Sequence, residues 1–114
     1  MTKKLWESYS ASWSMPEADR LQRLEETVSS EVTYTDPNIS LRGIAAFSEY
    51  MAGFQSNMPD TSFAIREVLD HHGRTLSHWN MMGANNTVVG TGTSFAELTN
   101  DGKLTNINGF FGTP

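Results

Sequence analysis

The second half of the chain contains four stretches in which apolar and polar residues alternate, separated by short turns. The turn at residues 100–103 reads Asn-Asp-Gly-Lys, and Asp-Gly between two alternating stretches is a strong hairpin signal. Strands joined by turns this short pair antiparallel. The pattern therefore predicts a mainly antiparallel sheet, built from strands over residues 62–69, 75–82, 87–98 and 104–111.

Apolar residues at helical spacing predict three helices in the first half. Trp6, Tyr9 and Trp13 fall on one stripe of the first helix. Ser14 and Glu17 have the spacing of a capping box, which places the start of the second helix at Ser14. Pro59 ends the third helix, which is predicted from the stripe Ile44, Phe47, Met51, Phe54 and Met58.

Between the second and third helices, alternation up to Asp36 predicts one further strand, and residues 37–43 read as a loop. The order is then helix, helix, strand, helix and four strands. This order predicts an α+β fold with three helices on one face of a strongly curved, mainly antiparallel sheet. The chain has 114 residues, which suits a single domain over residues 1–114.

Composition narrows the classes of function. The formal net charge is −5, and no cluster of basic residues exceeds Lys3-Lys4, which disfavours nucleic acid or an anionic membrane as a partner. The chain has no cysteine, so thiolate metal sites and cysteine nucleophiles are excluded. No segment approaches the length of a membrane span. We expect a soluble cytoplasmic protein that needs no cofactor.

Asp36 is the strongest candidate for a catalytic group. Alternation puts Val32, Tyr34 and Asp36 on one face of their strand, so the carboxyl group is expected to look into an apolar space. Desolvation disfavours the charged form of such a group, which is how a general base is made. An Asp before Pro37 is also a common turn opener, and that interpretation stays open.

The order and spacing of several segments resemble the nuclear transport factor 2-like superfamily, in its SnoaL-like and ketosteroid isomerase-like branch. The matching segments are residues 5–9, 34–37, 41–47, 79–83, 87–98 and 101–111. The resemblance implies a cone of three helices wrapped by a curved sheet and open at one end to a mostly apolar pocket. It also implies a homodimer formed through the outer face of the sheet.

The same resemblance implies roles for individual residues. Asp36 matches the general base that moves a proton on the carbon next to a carbonyl group. Tyr9 is the nearest match to the tyrosine that donates a hydrogen bond to the oxyanion. A second acid of ketosteroid isomerases falls at Thr93 or Ser94 here, and neither residue is acidic.

Alignment to the ketosteroid isomerases predicts that the side chains of His78, Asn80 and Met82, in the 75–82 strand, face the cavity. His78 would then be a third catalytic candidate, since a histidine can shuttle protons near neutral pH. Trp79, Met81 and Phe95 would lie on the outer face, in the dimer contact. A slip of one residue in register reverses every one of these assignments.

The expected ligand is a small hydrophobic molecule, such as a carbonyl or polyketide-like ring compound. The resemblance implies an isomerase- or cyclase-type enzyme with Asp36 as base, or a non-catalytic ligand-binding or dimerisation module of the same fold. The pair His71-His72 lies in a turn, so no metal site is expected. The residues expected to bind the ligand are Trp13, Tyr34, Phe47, Met51, Phe54, Asn80, Met82, Ser94, Ile107 and Phe111.

Overall fold

The computed structural model describes residues 2–114, and within them three α-helices pack on one sheet of six strands. The helices are α1 (Thr2–Ala11), α2 (Glu17–Thr27) and α3 (Ile44–Asn57), with short 3₁₀ turns at Ser12–Ser14 and Ala84–Asn86. The strands are β1 (Thr33–Asp36), β2 (Ile39–Arg42), β3 (Ser62–His71), β4 (Arg74–Met82), β5 (Val88–Leu98) and β6 (Leu104–Phe111). The predicted α+β fold is confirmed.

The strand order in the sheet is β2-β1-β6-β5-β4-β3. All neighbours pair antiparallel except β1 and β6, which run parallel. The register shifts within the β3–β4, β4–β5 and β5–β6 pairs. Such irregularities bend strands and increase their twist, so the long hairpins curl around the helices.

The segment over residues 37–43, predicted as a loop, contains strand β2 instead. Thr33 pairs with Arg42 and Asp36 pairs with Ile39, which makes β1 and β2 a hairpin. Its turn is the dipeptide Pro37-Asn38. The strand was missed because only four residues alternate before Gly43, too few to distinguish a short edge strand from a loop.

The second helix begins later than predicted, and the capping box does not form. Helix α2 starts at Glu17, with Pro16 as its N-cap residue and no side-chain cap. The Ser14 hydroxyl donates instead to the Thr61 carbonyl oxygen, 3.1 Å away. None of the helices found among residues 2–114 is long and apolar enough to span a membrane.

The packed end of the cone lies where α2 and α3 meet the parallel β1–β6 pair. Its side chains are fully buried, and Phe47 stacks on Tyr34 with ring centroids 4.6 Å apart. Arg20 crosses from α2 to α3, where its Nε donates to the Ser48 hydroxyl at 2.8 Å. The apolar members of this packed end are Leu24, Val28, Val32, Phe47, Met51, Leu104 and Ile107.

Candidate active site

A cavity of about 740 Å³ occupies the other end of the cone, between α1, α3 and the curled strands. Its wall is mainly aromatic, and a few polar groups interrupt it. All three tryptophans and all three tyrosines of the chain line it. The aromatic lining residues are Trp6, Tyr9, Trp13, Tyr34, Tyr50, Phe54, Phe63, Trp79 and Phe111.

Trp13 stands at the centre of this wall. Its indole ring lies 5.4–5.9 Å, centroid to centroid, from five other aromatic rings. Most of these pairs meet edge to face, the arrangement that aromatic quadrupoles prefer. The 3₁₀ turn after α1 therefore holds Trp13 rigidly between the helices and the sheet.

Asp36 lies in the cavity wall and is only 8% exposed. Its Oδ1 accepts hydrogen bonds from the backbone N–H of Asn38 at 2.8 Å and of Ile39 at 3.2 Å. Its Oδ2 accepts from the hydroxyls of Tyr34 at 2.8 Å and Tyr50 at 2.9 Å. Both of the interpretations that the Asp-Pro sequence left open are therefore realised: the carboxylate closes a turn and also faces an apolar space.

The three tyrosines of the cavity are hard to ionise. Burial raises the pKa of Tyr9 and of Tyr34 well above the usual range, and the nearby Asp36 charge adds to the effect. Tyr50 is half-buried. Burial, together with its hydrogen bond to Asp36, raises the pKa of Tyr50 to about 12. All three hydroxyls keep their protons near neutral pH and can serve as hydrogen-bond donors.

Tyr9 differs from the other two tyrosines in what its hydroxyl contacts. Its oxygen accepts a hydrogen bond from Trp13 Nε1 at 3.2 Å. Tyr34 and Tyr50 donate to Asp36, whereas the Tyr9 O–H has no protein acceptor among residues 2–114. The Tyr9 proton is therefore available to an oxygen atom of a ligand in the cavity.

The orientation predicted for β4 is wrong. Thr75, Ser77 and Trp79 point into the cone, and Trp79 and Met81 line the cavity. His78, Asn80 and Met82 have the opposite orientation and do not line it. The His78 ring contacts the outer-face residues Thr93 and Glu67, with its Nδ1 2.9 Å from the Thr93 hydroxyl. His78 is therefore not a member of the candidate active site.

A glycine on the neighbouring strand explains which face of β4 turns inward. Trp79 pairs with Gly92 of β5, and a Cβ added at Gly92 would lie 2.2 Å from the indole ring. The indole thus occupies the space that any side chain at position 92 would need. Its Nε1 donates to the Ser94 hydroxyl at 3.0 Å. A bulky residue opposite a glycine is the sequence signal that could have selected this register.

The other predicted ligand-binding residues divide into two groups. Trp13, Tyr34, Phe54, Ser94 and Phe111 line the cavity, as Tyr9 and Asp36 do. Three other residues do not line the cavity as predicted, because they are fully buried in the packed end: Phe47, Met51 and Ile107. An apolar stripe predicts that a side chain is inside, but gives no sign of whether another side chain or a cavity lies against it.

Sequence reasoning did not identify Tyr50 and Phe63 as part of the site. Tyr50 lies three residues after Phe47 and four before Phe54, so helical spacing could have placed it on the same stripe. Phe63 and Ile65 alternate inward at the start of β3. Tyr50 matters most, because it is the second hydroxyl on Asp36 Oδ2.

The two adjacent histidines lie far from this chemistry, at the exposed β3–β4 turn. The Nδ1 atoms of His71 and His72 are 3.3 Å apart. Across residues 2–114, no group of three or more potential metal-ligating side chains converges. Nothing in the described chain points to a metal at this turn.

Comparison with known proteins identifies the family of this chain and solved structures with the same fold. The model of the SnoaL-like domain family matches residues 7–107. No curated protein matches the chain. A solved structure from Agrobacterium tumefaciens, described as a proposed isomerase of the SnoaL-like family, superposes with a TM-score of 0.89 at 20% identity. The match covers 99% of this chain and 100% of that one.

Two other solved structures have the same fold. A proposed SnoaL-like polyketide cyclase from Jannaschia superposes with a TM-score of 0.74 at 15% identity, covering 96% of this chain and 85% of that one. A proposed ketosteroid isomerase from Kribbella flavida gives a TM-score of 0.70 at 16% identity, with coverages of 99% and 78%. At such identities, likeness shows the fold and carries no activity with it.

Proposed function

This chain belongs to the SnoaL-like domain family, and on that premise we propose that it binds a small hydrophobic carbonyl compound and moves a proton on it. The reaction is of the isomerase or cyclase type, with Asp36 as general base. The single observation that carries the proposal is a carboxylate, 8% exposed, in the wall of an aromatic cavity. The proposed activities of the structural neighbours are consistent with this class.

In the proposed reaction, the Asp36 carboxylate takes a proton from the carbon next to the ligand carbonyl. The electron pair of that C–H bond forms a C=C bond, and the carbonyl π electrons move to oxygen to give an enolate. Tyr9 donates its free O–H to this oxygen, as an oxyanion donor. Asp36 then returns the proton to another carbon of the conjugated system, so the base is regenerated and the double bond has moved.

Asp36 Oδ2 is the oxygen that takes the proton, because Oδ1 is held by the turn. One of its two hydroxyl partners, Tyr50, is half-buried on α3 and therefore easier to displace than the buried Tyr34. A ligand C–H group that displaces the Tyr50 hydroxyl would meet a free lone pair. A positioned general base of this kind contributes about 10²- to 10⁴-fold in rate.

The Asp36→Asn variant tests this role. Asparagine keeps an acceptor oxygen for the Asn38 and Ile39 N–H groups but cannot take up a proton near neutral pH. We expect turnover of hydrophobic cyclic β,γ-unsaturated ketones, followed by ultraviolet absorbance of the conjugated product, to fall by about 10²-fold or more. The control is Asp19→Asn, the same chemical change on exposed α2 outside the cavity, and it should leave turnover at the wild-type rate. Turnover of Asp36→Asn at the wild-type rate would remove Asp36 from the mechanism.

A non-catalytic ligand-binding module is the second candidate, and one observation favours it. All four hydrogen bonds of Asp36 are already made inside the protein, as in a purely structural turn cap. On this reading, Asp36→Asn lowers the melting temperature, and neither form converts any ketone in the series. Wild-type turnover of even one of these ketones would exclude the second candidate.

We also propose that the protein forms a homodimer through the outer sheet face. Trp79 and Met81, predicted to lie in that contact, line the cavity instead. Phe95 lies on the outer face as predicted, in an apolar row where Leu69 pairs with Leu76 and Leu76 pairs with Phe95. Sedimentation of the wild type as a monomer at high micromolar concentration would refute the dimer.

A further inference from the structure

The charged groups around the cavity are all of one sign. Asp36 lies in its wall and Glu49 at its mouth. Among residues 2–114, no lysine, arginine or histidine lines it. A ligand that enters therefore meets two carboxylates and no basic side chain.

The charge of Asp36 is not neutralised by an ion pair within the described chain. Its four partners are neutral hydroxyl and N–H donors. The buried guanidinium of Arg20 lies elsewhere, between α2 and α3, and donates to Ser48 and to the Met15 carbonyl. Because buried charges are screened far less than exposed ones, the field of Asp36 extends into the cavity.

The aromatic wall of the cavity also favours positive charge. The faces of tryptophan and tyrosine rings carry negative electrostatic potential, and they attract organic cations within about 6 Å. Trp13, Tyr50 and Trp79 come from three different elements and line the same space. An aromatic lining combined with a carboxylate that has no ion-pair partner forms the kind of surface that recognises substituted ammonium groups.

We propose that the ligand of this cavity carries a positively charged nitrogen, as a protonated amine or a quaternary ammonium group, on a hydrophobic ring framework. This inference deepens the proposed function and rests on one part of it, that the cavity binds a small hydrophobic molecule. It adds the charge of that molecule. The two carboxylates weaken the binding of anionic ligands of the same shape.

Three soluble probes with one hydrophobic cage test the charge directly: 1-adamantylammonium, 1-adamantanol and adamantane-1-carboxylate. Isothermal titration calorimetry on the wild-type chain of 114 residues gives the dissociation constant of each. We expect the ammonium to bind about tenfold or more tightly than the alcohol. We expect the carboxylate to bind more weakly than the alcohol.

Two variants test which carboxylate makes the ammonium probe bind more tightly than the alcohol. Asp36→Asn should reduce the ratio of ammonium to alcohol affinity by about threefold or more, with little change for the alcohol. Glu49→Gln should reduce the ratio less, because Glu49 is exposed to solvent. The matched control is Asp19→Asn, the same chemical change on exposed α2, outside the cavity, and it should leave the ratio unchanged.

The inference is overturned if the ammonium binds no more tightly than the alcohol, or if the carboxylate binds most tightly; alcohol binding alone would leave the proposed function standing. Binding of none of the three probes would overturn the inference, whereas turnover of the unsaturated ketones decides the proposed function separately. If Asp36→Asn does not fold, the inference is tested by the three probe affinities of the wild type and by the ratio of ammonium to alcohol affinity in Glu49→Gln.

Discussion

The two ends of the cone are built from the same apolar stripe of α3, yet they differ in what faces it. At the packed end, Phe47 and Met51 are fully buried against β1, β6 and α2. At the open end, Phe54 and Met58, the residue that follows the helix, line the cavity, and Met58 is 39% exposed. Helical periodicity thus identifies an inward face, whereas the opposing elements decide whether that face is core or pocket.

The largest expected difference between the two ends is in stability. Phe47→Ala removes a ring that stacks on Tyr34 and leaves a hole in dense packing, which should cost about 3–5 kcal/mol of unfolding free energy. Phe54→Ala is the matched change at the open end. It should cost about 1–2 kcal/mol, because its ring already borders empty space. Urea denaturation measures both values, and equal losses would contradict the distinction between the two ends.

The glycines of β5 give a sharper test of how the open end is built. Gly92→Ala forces the added methyl group against the Trp79 indole and the Phe110 carbonyl, so we expect a loss of about 1–3 kcal/mol. Gly90→Ala is the control, since the tightest contact of its Cβ is with the flexible methyl end of Met81, at 3.2 Å. That change should be neutral or stabilise by up to about 1 kcal/mol.

Melting temperature and tryptophan fluorescence report on both glycine variants. Displacement of Trp79 from Ser94 should change the emission of Gly92→Ala and leave that of Gly90→Ala close to wild type. A Gly92→Ala protein with the stability and emission of the wild type would show that Trp79 does not select the register of β4.

The smallest expected effect is on pH dependence, and it separates the tyrosines within the open end. A pKa raised by folding means that the protonated form is favoured in the folded state. The resulting stability is fully present below about pH 10, the ordinary value, and is lost as the pH rises through about 12, where Tyr50 ionises. Tyr9 and Tyr34, which are more deeply buried, should ionise only as the chain unfolds.

Ultraviolet absorbance of tyrosinate, recorded together with circular dichroism, checks this order. Tyr50→Phe should remove the transition near pH 12 and leave only the tyrosines that ionise with unfolding. Ionisation of any tyrosine near pH 10 in a chain that is still folded would contradict the burial described here.

Most of the fold could be predicted from the sequence because its signals are local. The Asp-Gly turn, Pro59 and the alternation of residues 104–111 each specify their own element. Strand β2 was missed because a strand of four residues carries too short a pattern. Tyr34 and Asp36 could be assigned to the candidate site because they share one strand face, whereas Tyr9 was assigned only through the resemblance to the isomerases.

The remainder of the site depends on contacts between residues that are distant in sequence. His78 and Trp79 both fit an alternating strand, and choosing between them required the pairing of Trp79 with Gly92. The hydrogen bond from Tyr50 to Asp36 joins α3 to β1, and no local pattern contains that contact.

Apart from β2, the order of the elements and the inward face of β1 could therefore be predicted from the sequence, because periodicity and turn chemistry act over a few neighbouring residues. Which face of β4 lines the cavity, and where the core ends and the pocket begins, became clear only in the folded molecule. Steric fit and hydrogen bonding between strands and helices depend on their packed positions. Those positions exist only once the sheet has curled around the helices.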